Sequence, residues 1–238
     1  IRVIPYLVTV DHKHKMERKD FGLPEDKFLY LAMFDVNSTL GRKNPMGSVK
    51  AFKKAFRPED SRVGMVFKVN NATENSLINL KAELKGYDNI YFITETLGKE
   101  EVNCLIENVD VFISLHRSEG FGLVMAEAML LETPVIATNW SSNTEFMDKS
   151  ASCMVDYKLI QNPKKEDLYP KGCVWAEPEY GQAAWYMKKL AGDKEYCRRM
   201  GKSAKQFIEA KLGKENTVDV LEQELKRVWM QINTKSEL

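Results

Sequence analysis

Two carboxylates at a spacing of eight, Glu119 and Glu127, are the side chains of this sequence whose types and positions best suit chemistry. Glu119 stands in a polar elbow, His116-Arg117-Ser118-Glu119-Gly120-Phe121-Gly122. Glu127 interrupts the otherwise apolar run from Leu123 to Leu131. If that run is helical, Leu123, Glu127 and Leu131 share a face at i, i+4 spacing, and Glu127 looks toward strand ends rather than water. A carboxylate there is costly unless it is hydrogen-bonded, and the hydroxyls of a ligand would serve. Gly120 and Gly122 let the backbone approach a ligand and aim N–H groups at it. The plain alternative is that Glu119 caps the helix and Glu127 is a half-exposed surface residue. On residue types alone the two readings are about even.

A pair of cations, Arg42 and Lys43, precedes Asn44 and Pro45. An N-cap residue followed by proline starts a helix. The dipole and free N–H groups of that helix, with two cations beside them, make an anion site. A solvated basic loop is the ordinary alternative, but position at a strand end favours phosphate. Lys68 also ends a strand on the ligand side, where lysine is often only a solubilising edge charge.

The elements that position these groups follow from apolar patterning. Short apolar runs at 27–34, 62–68, 89–94, 109–115, 134–138 and 151–155 read as buried strands. Helical patterns occupy 45–56, 73–84, 99–108 and 123–131, and then 179–191, 194–211 and 214–232. A short helix opens at Glu145, and 157–170 reads as an irregular loop. Strands alternating with helices predict an α/β fold, a doubly wound parallel sheet of Rossmann-like form. Ligands sit beyond the carboxyl ends of such strands. No G-x-G-x-x-G follows the first strand, which disfavours a dinucleotide-dependent dehydrogenase. The stripe Val218, Leu221, Leu225, Val228, Trp229 and Ile232 in the last helix is expected to pack in the core.

Composition narrows the class. At 238 residues with 44% hydrophobic and 29% charged residues, the chain has the make-up of a globular protein with a sizeable core. A net charge of +1 argues against a dedicated nucleic-acid binder. No apolar run nears the ~20 residues of a membrane-spanning helix. Cys104, Cys153, Cys173 and Cys197 lie far apart without a C-x-x-C pair, which suggests free thiols in a reducing compartment. His12 and His14 sit in a charged stretch without other ligands nearby and read as solvated. Residues 1–26 read as an entry segment cut from a longer chain.

The run Glu119-x7-Glu127, with Gly-Phe-Gly after the first Glu, resembles the E-x7-E signature of the retaining GT-B glycosyltransferases, the "glycosyl transferases group 1" family. The preceding strand agrees, as do Glu127-Ala128-Met129, Pro134-Val135-Ile136-Ala137-Thr138, Asn143-Thr144-Glu145 and the segment Cys173 to Pro178. The resemblance covers nearly the whole chain and matches the C-terminal, donor-binding half of a GT-B fold. It implies an entry segment at 1–26, a nucleotide-sugar domain at 27–212, and a final helix at 213–238 directed toward an N-terminal acceptor domain.

The implied activity is transfer of a sugar, with retention, from a UDP- or GDP-linked donor to a carbohydrate or lipid-linked acceptor in polysaccharide assembly. By resemblance Glu127 binds the ribose hydroxyls and Glu119 those of the donor sugar. Backbone N–H groups of Gly120, Phe121, Gly122 and Leu123 hold the sugar or distal phosphate, and Lys43, helped by Arg42, neutralises the departing diphosphate. The family's usual arginine position falls at Ser38. Arg42 takes over that charge from nearby, or Asn37 and Ser38 contact phosphate as neutral donors. Thr94 and the turn after it lie beside the base, and His116 and Arg117 border the site, with a structural hydrogen bond at the strand end the alternative for His116. No metal is implied, since the family does not need one and no D-x-D pair stands in the central run. The expected setting is the cytoplasm, with the inner face of a membrane open to it. A nucleotide-sugar epimerase of the same architecture, and a binding module inactive without its partner domain, are the alternatives.

Overall fold

The apolar runs become six parallel strands because residues of both parities along each run have a face to bury against. The computed structural model describes residues 3–10 and 15–235; the reading of His12 and His14 lies outside them. The strands are β1 (Phe28–Asp35), β2 (Val63–Asn70), β3 (Ile90–Ile93), β4 (Val111–Ser114), β5 (Val135–Thr138) and β6 (Cys153–Val155). They form one parallel sheet in the order β3-β2-β1-β4-β5-β6. The chain works outward from β1 to β3, then returns to the other side of β1 at β4. The strand order therefore reverses between β1 and β4, where a crevice opens at the carboxyl ends.

Helices cover both faces: α1 (Leu40–Lys43, a single turn), α2 (Pro45–Ala55), α3 (Glu74–Glu83), α4 (Lys99–Glu107), α5 (Leu123–Leu130), α6 (Tyr180–Gly192), α7 (Lys194–Leu212) and α8 (Lys214–Lys235). On one face Tyr30, Phe34, Met65 and Phe67 pack with Phe52, Leu77, Leu80 and Met187. On the other, Leu29, Leu31 and Val66 pack with Leu105, Ala126, Met129 and Ile208. Phe52, fully buried, sits against the rings of Tyr30, Phe56 and Tyr87. Burial of a phenylalanine contributes about 1.5–3 kcal/mol, so this aromatic group is a main tie between α2 and the sheet. Asp193 caps α7 by accepting from the Tyr196 N–H at 2.8 Å.

Several expectations change. Residues 157–170 do not form only an irregular loop. Tyr157–Gln161 (β7) pairs antiparallel with Val174–Pro178 (β8), the segment just before α6. The pairing was hidden because its connection is long, without a two-residue turn signal, and because burial of β7 is slight. The short helix at Glu145 is instead a 3-10 turn, Ser142–Glu145, which begins earlier.

Asn44 stands at the start of α2 as expected, but its side chain caps nothing there. The residue is left-handed, at φ 51°, a conformation asparagine tolerates, and its amide is spent elsewhere. The stripe on α8 is not core. Val218, Leu221, Leu225, Val228, Trp229 and Ile232 are all exposed, from 39% to 67%. The helix leaves the end of α7, and among the described residues no element lies over that stripe. The entry segment is tied down: Val8 is buried and its N–H meets the Leu212 carbonyl. Arg18 bonds Asp110 and the carbonyls of Lys27 and Asn108.

Candidate functional site

The site is assembled at the carboxyl ends of β1 and β4, the switch point. The elbow after β4 turns into α5 at Gly122, whose φ of 93° only glycine adopts freely. A Cβ there would also lie 2.5 Å from the Met125 side chain. At the start of α5 the Met125 N–H bonds the Gly122 carbonyl at 2.9 Å, and the positive end of the helix dipole lies at the elbow that carries Glu119.

Glu119 collects both cations predicted for phosphate. Lys43 Nζ lies 2.6 Å from Oε2 and Arg42 Nη1 3.3 Å from Oε1. Arg42 also donates to the Ser118 carbonyl and, through Nη2, to Ser38 Oγ at 3.0 Å. The guanidinium therefore sits on Ser38 itself, so both substitutes for an arginine at position 38, the charge of Arg42 and the hydroxyl of Ser38, meet at one point. Asn37 is exposed, its N–H on Asp35. Burial pushes the Glu119 carboxyl up, but Lys43 and Arg42 outweigh it and hold it below the usual carboxylate range.

Glu127 faces inward as its helical position requires and is 2% exposed; Leu131 is buried with it, whereas Leu123 stays open at the mouth of the site. Its Oε1 is paired with Lys99, the first residue of α4. Burial raises the Glu127 carboxyl and Lys99 opposes the rise without cancelling it. Lys99 was missed because it reads as one charge among several at the start of an amphipathic helix. Only the packing of α4 beside α5 brings it to Glu127. Beside Glu119 and the first turn of α5 lies a cleft of about 270 Å³ lined by Met33, Lys43, Ser114, Glu119, Gly122 and Leu123, among others. A larger hollow of about 780 Å³ lies at the opposite strand ends, around Lys27, Arg62 and Asp110, which are engaged with the Ser61 carbonyl, Asp60 and Arg18 in turn. We place the site in the smaller cleft, since parallel α/β sheets bind ligands at the carboxyl ends.

The other predicted residues sort by contact. His116 is fully buried, with Nδ1 3.0 Å from Ser114 Oγ and Nε2 3.1 Å from the Trp140 carbonyl. Burial lowers its pKa, so it is a neutral hydrogen-bonder that ties β4 to the turn after β5. Lys68 is no edge charge. It is 1% exposed on the α4/α5 side of β2, its ammonium 2.6 Å from Asn70 Oδ1, and burial lowers its pKa. Thr94 is exposed at the end of β3, its N–H held by Glu95. Gly120 is exposed, its N–H on Glu119 Oε1, and the Phe121 ring leans on Phe146 at 5.2 Å.

A network behind the cations was not legible in the sequence. Arg117 turns away from the cleft to pair with Glu177 of β8, while its Nη1 and N–H hold the Gly41 and Arg42 carbonyls, each at 2.8 Å. Tyr180 donates to Glu177, and Asn44 Nδ2 donates to Tyr180 Oη and, at 2.7 Å, to the Leu115 carbonyl. Burial, with the bond to Glu177, pushes the Tyr180 phenol up to about 12. The loop beyond β7 closes over α1: Thr39 bonds Asp167, and a Cβ on Gly41 would lie 2.0 Å from Glu166. Among the described residues no group of three or more His, Cys, Asp or Glu is placed to hold a metal ion. All four cysteines are free thiols.

The chain is similar to known proteins along most of its length. The family model described as Glycosyl transferases group 1 matches residues 14–207. The O-antigen biosynthesis glycosyltransferase WclY of Escherichia coli is 28% identical over 160 residues, 64% of this chain and 42% of the relative. The chain thus spans under half the length of that protein. Among solved structures, the lipopolysaccharide-biosynthesis glycosyltransferase WaaG superposes with a TM-score of 0.67 at 15% identity, covering 92% of this chain and 55% of that one. HepE of Anabaena, in complex with UDP and glucose, gives 0.65 at 14%, covering 90% and 51%. The C-terminal domain of LpcC, a group 1 family protein of Francisella tularensis, gives 0.62 at 19%, covering 87% of this chain and 95% of that domain. The fold is the Rossmann-like α/β domain of the GT-B glycosyltransferases, and by its family match this chain belongs to the glycosyl transferases group 1 family.

Proposed function

We propose that residues 27–212 form a nucleotide-sugar donor domain that serves transfer of the sugar, with retention, to a carbohydrate or lipid-linked acceptor. The observation that carries this reading is the arrangement at Glu119. Two cations meet one carboxylate on the wall of a cleft, beside the first turn of the helix that carries a second, buried carboxylate. A donor diphosphate would take Lys43 and Arg42 from Glu119, freeing its carboxylate to accept hydrogen bonds from hydroxyls of the sugar. Glu127 would accept from the ribose diol. The cations then stabilise charge on the leaving diphosphate, an electrostatic contribution rather than proton transfer. Because Glu119 binds and does not attack, the pair is not read as the two carboxylates of a glycosidase.

The donor is UDP- or GDP-linked; HepE, similar in fold, was solved with UDP and glucose. The acceptor would be held by a further domain in the length that the relatives have beyond this match, and the apolar stripe of α8 would pack toward it. The setting is polysaccharide assembly in the cytoplasm, at the inner face of a membrane; among the described residues no helix is long and apolar enough to cross one. Because the chain spans 42% of WclY, a second reading is that it binds donor and turns over nothing by itself.

Calorimetric titration with UDP, GDP, ADP and TDP and their sugar conjugates tests the proposal. Selective binding that Lys43→Ala and Glu127→Ala each weaken supports it, since a ligand specific for the native state also raises its stability. Binding of none, or binding that ignores both substitutions, overturns it.

A further inference from the structure

Among the described residues Lys99 is the cation paired with Glu127, and nothing in the E-x7-E pattern calls for it. Its ammonium is paired with Oε1 of a carboxylate that is 3% exposed, while the lysine side chain is 52% exposed and reaches in from the first turn of α4. An ammonium carries three donors, and the pair with Glu127 uses one. Among the described residues Lys99 has no second hydrogen-bond acceptor, so it brings unspent donors to the place proposed for the ribose.

A carboxylate oxygen accepts more than one hydrogen bond, so Oε1 can keep Lys99 while the carboxylate takes the vicinal diol. With the 2′-hydroxyl on that oxygen, Lys99 would lie beside it. In an anti nucleoside the base edge on the 2′ side carries O2 of a pyrimidine or N3 of a purine, the two acceptors that also mark the sugar edge of a base pair. A pyrimidine carbonyl is the stronger acceptor for an ammonium. Guanine sets an amino donor next to its N3, opposing a cation there.

We infer that Lys99 is a base-reading residue that makes the donor site selective for pyrimidine nucleotides, uracil above all, against guanine. The inference rests on the donor-site reading, since it needs the ribose on Glu127. Lys99 also supplies the counter-charge of Glu127, so replacing it weakens every nucleotide somewhat. The decisive quantity is the ratio of affinities.

The test is titration of this chain, as wild type, Lys99→Met and Lys99→Arg, with UDP, 2-thio-UDP, ADP and GDP. Wild type is expected to bind UDP most tightly, ADP next and GDP least. Lys99→Met is expected to lose about tenfold or more of the UDP-to-GDP preference, the worth of one hydrogen bond to a charged group. The weaker acceptor of 2-thio-UDP should cost affinity in wild type and little in Lys99→Met, and Lys99→Arg should keep the preference. An unchanged UDP-to-GDP ratio in Lys99→Met, or a wild type that prefers GDP, overturns the inference and leaves the donor site standing if Glu127→Ala still weakens binding. No binding by any nucleotide overturns both.

Discussion

Lys43 and Glu119 form an ion pair at 2.6 Å in which the lysine side chain is 26% exposed and the glutamate 11%. The two follow different strands, Lys43 after β1 and Glu119 after β4. On the proposed donor-site reading, Glu119 and a diphosphate would compete for the same ammonium.

Removing the carboxylate should relieve that competition. Glu119→Ala is expected to bind free nucleoside diphosphate at least as tightly as wild type, while the extra affinity for the sugar conjugate disappears. Calorimetry with a nucleotide and its sugar conjugate checks this, and a large loss for the bare nucleotide would contradict it.

Removing the cation should do the opposite. Lys43→Ala should weaken diphosphate binding by about tenfold to a hundredfold, as expected for a hydrogen bond between charged groups. The loss should shrink as salt rises, because the site is partly open to solvent. A salt-independent loss would mean that the loop had collapsed instead.

The pH dependence of binding should follow Glu127. Burial raises its carboxyl above the usual 4.5, against the pull of Lys99. Ribose binding needs the ionised form, so affinity should hold at neutral pH and fall, on acidification, at a higher pH than an ordinary glutamate would give. His116, lowered by burial, should add no step near 6.5. For stability the sign is reversed: a carboxyl raised in the folded state favours folding at low pH and disfavours it above its folded pKa. Glu127→Gln should therefore leave the ligand-free melting temperature at or above wild type while abolishing the pH step, measured by thermal melts and titrations in parallel.

Arg117→Ala tests the scaffold behind the cations. It leaves Glu177 partly buried without its partner and releases the Gly41 and Arg42 carbonyls. Breaking a fully buried pair costs about 3–5 kcal/mol, and this pair, which solvent partly screens, should cost less, about 1–2 kcal/mol. Nucleotide affinity should fall as well, although Arg117 does not face the cleft. Chemical denaturation and calorimetry read the two effects separately.

Gly122→Ala should destabilise by about 1–2 kcal/mol from the left-handed backbone alone. Its Cβ would further press on Met125, at the start of the helix that carries Glu127. A melting temperature equal to wild type would show that the elbow relaxes.

Much of this was legible in the sequence because local chemistry dictated it. Strands buried on both faces must be apolar throughout, and six such runs were readable as six strands. Asn44-Pro45 marked the start of α2 and Gly122 the start of α5, since each residue suits the backbone required there. The i, i+4 spacing alone turned Glu127 inward. The β7–β8 hairpin was not readable, because its partners are separated by a long connection and only pairing in space makes them strands.

What the tertiary structure alone decided is which charges meet. Lys43 and Arg42 reach Glu119 only because β1 and β4 are neighbours in a sheet whose order reverses between them. Lys99 reaches Glu127 only because α4 lies beside α5, and Arg117 is drawn to Glu177 by a strand sixty residues later. The sequence determined the sheet strands, the main helices and which residues share a face, since these depend on backbone periods of two and 3.6 residues; it did not determine β7 and β8 or whether the α8 stripe is covered. Partner choice among ions depends on distances across the fold, and no local pattern encodes those.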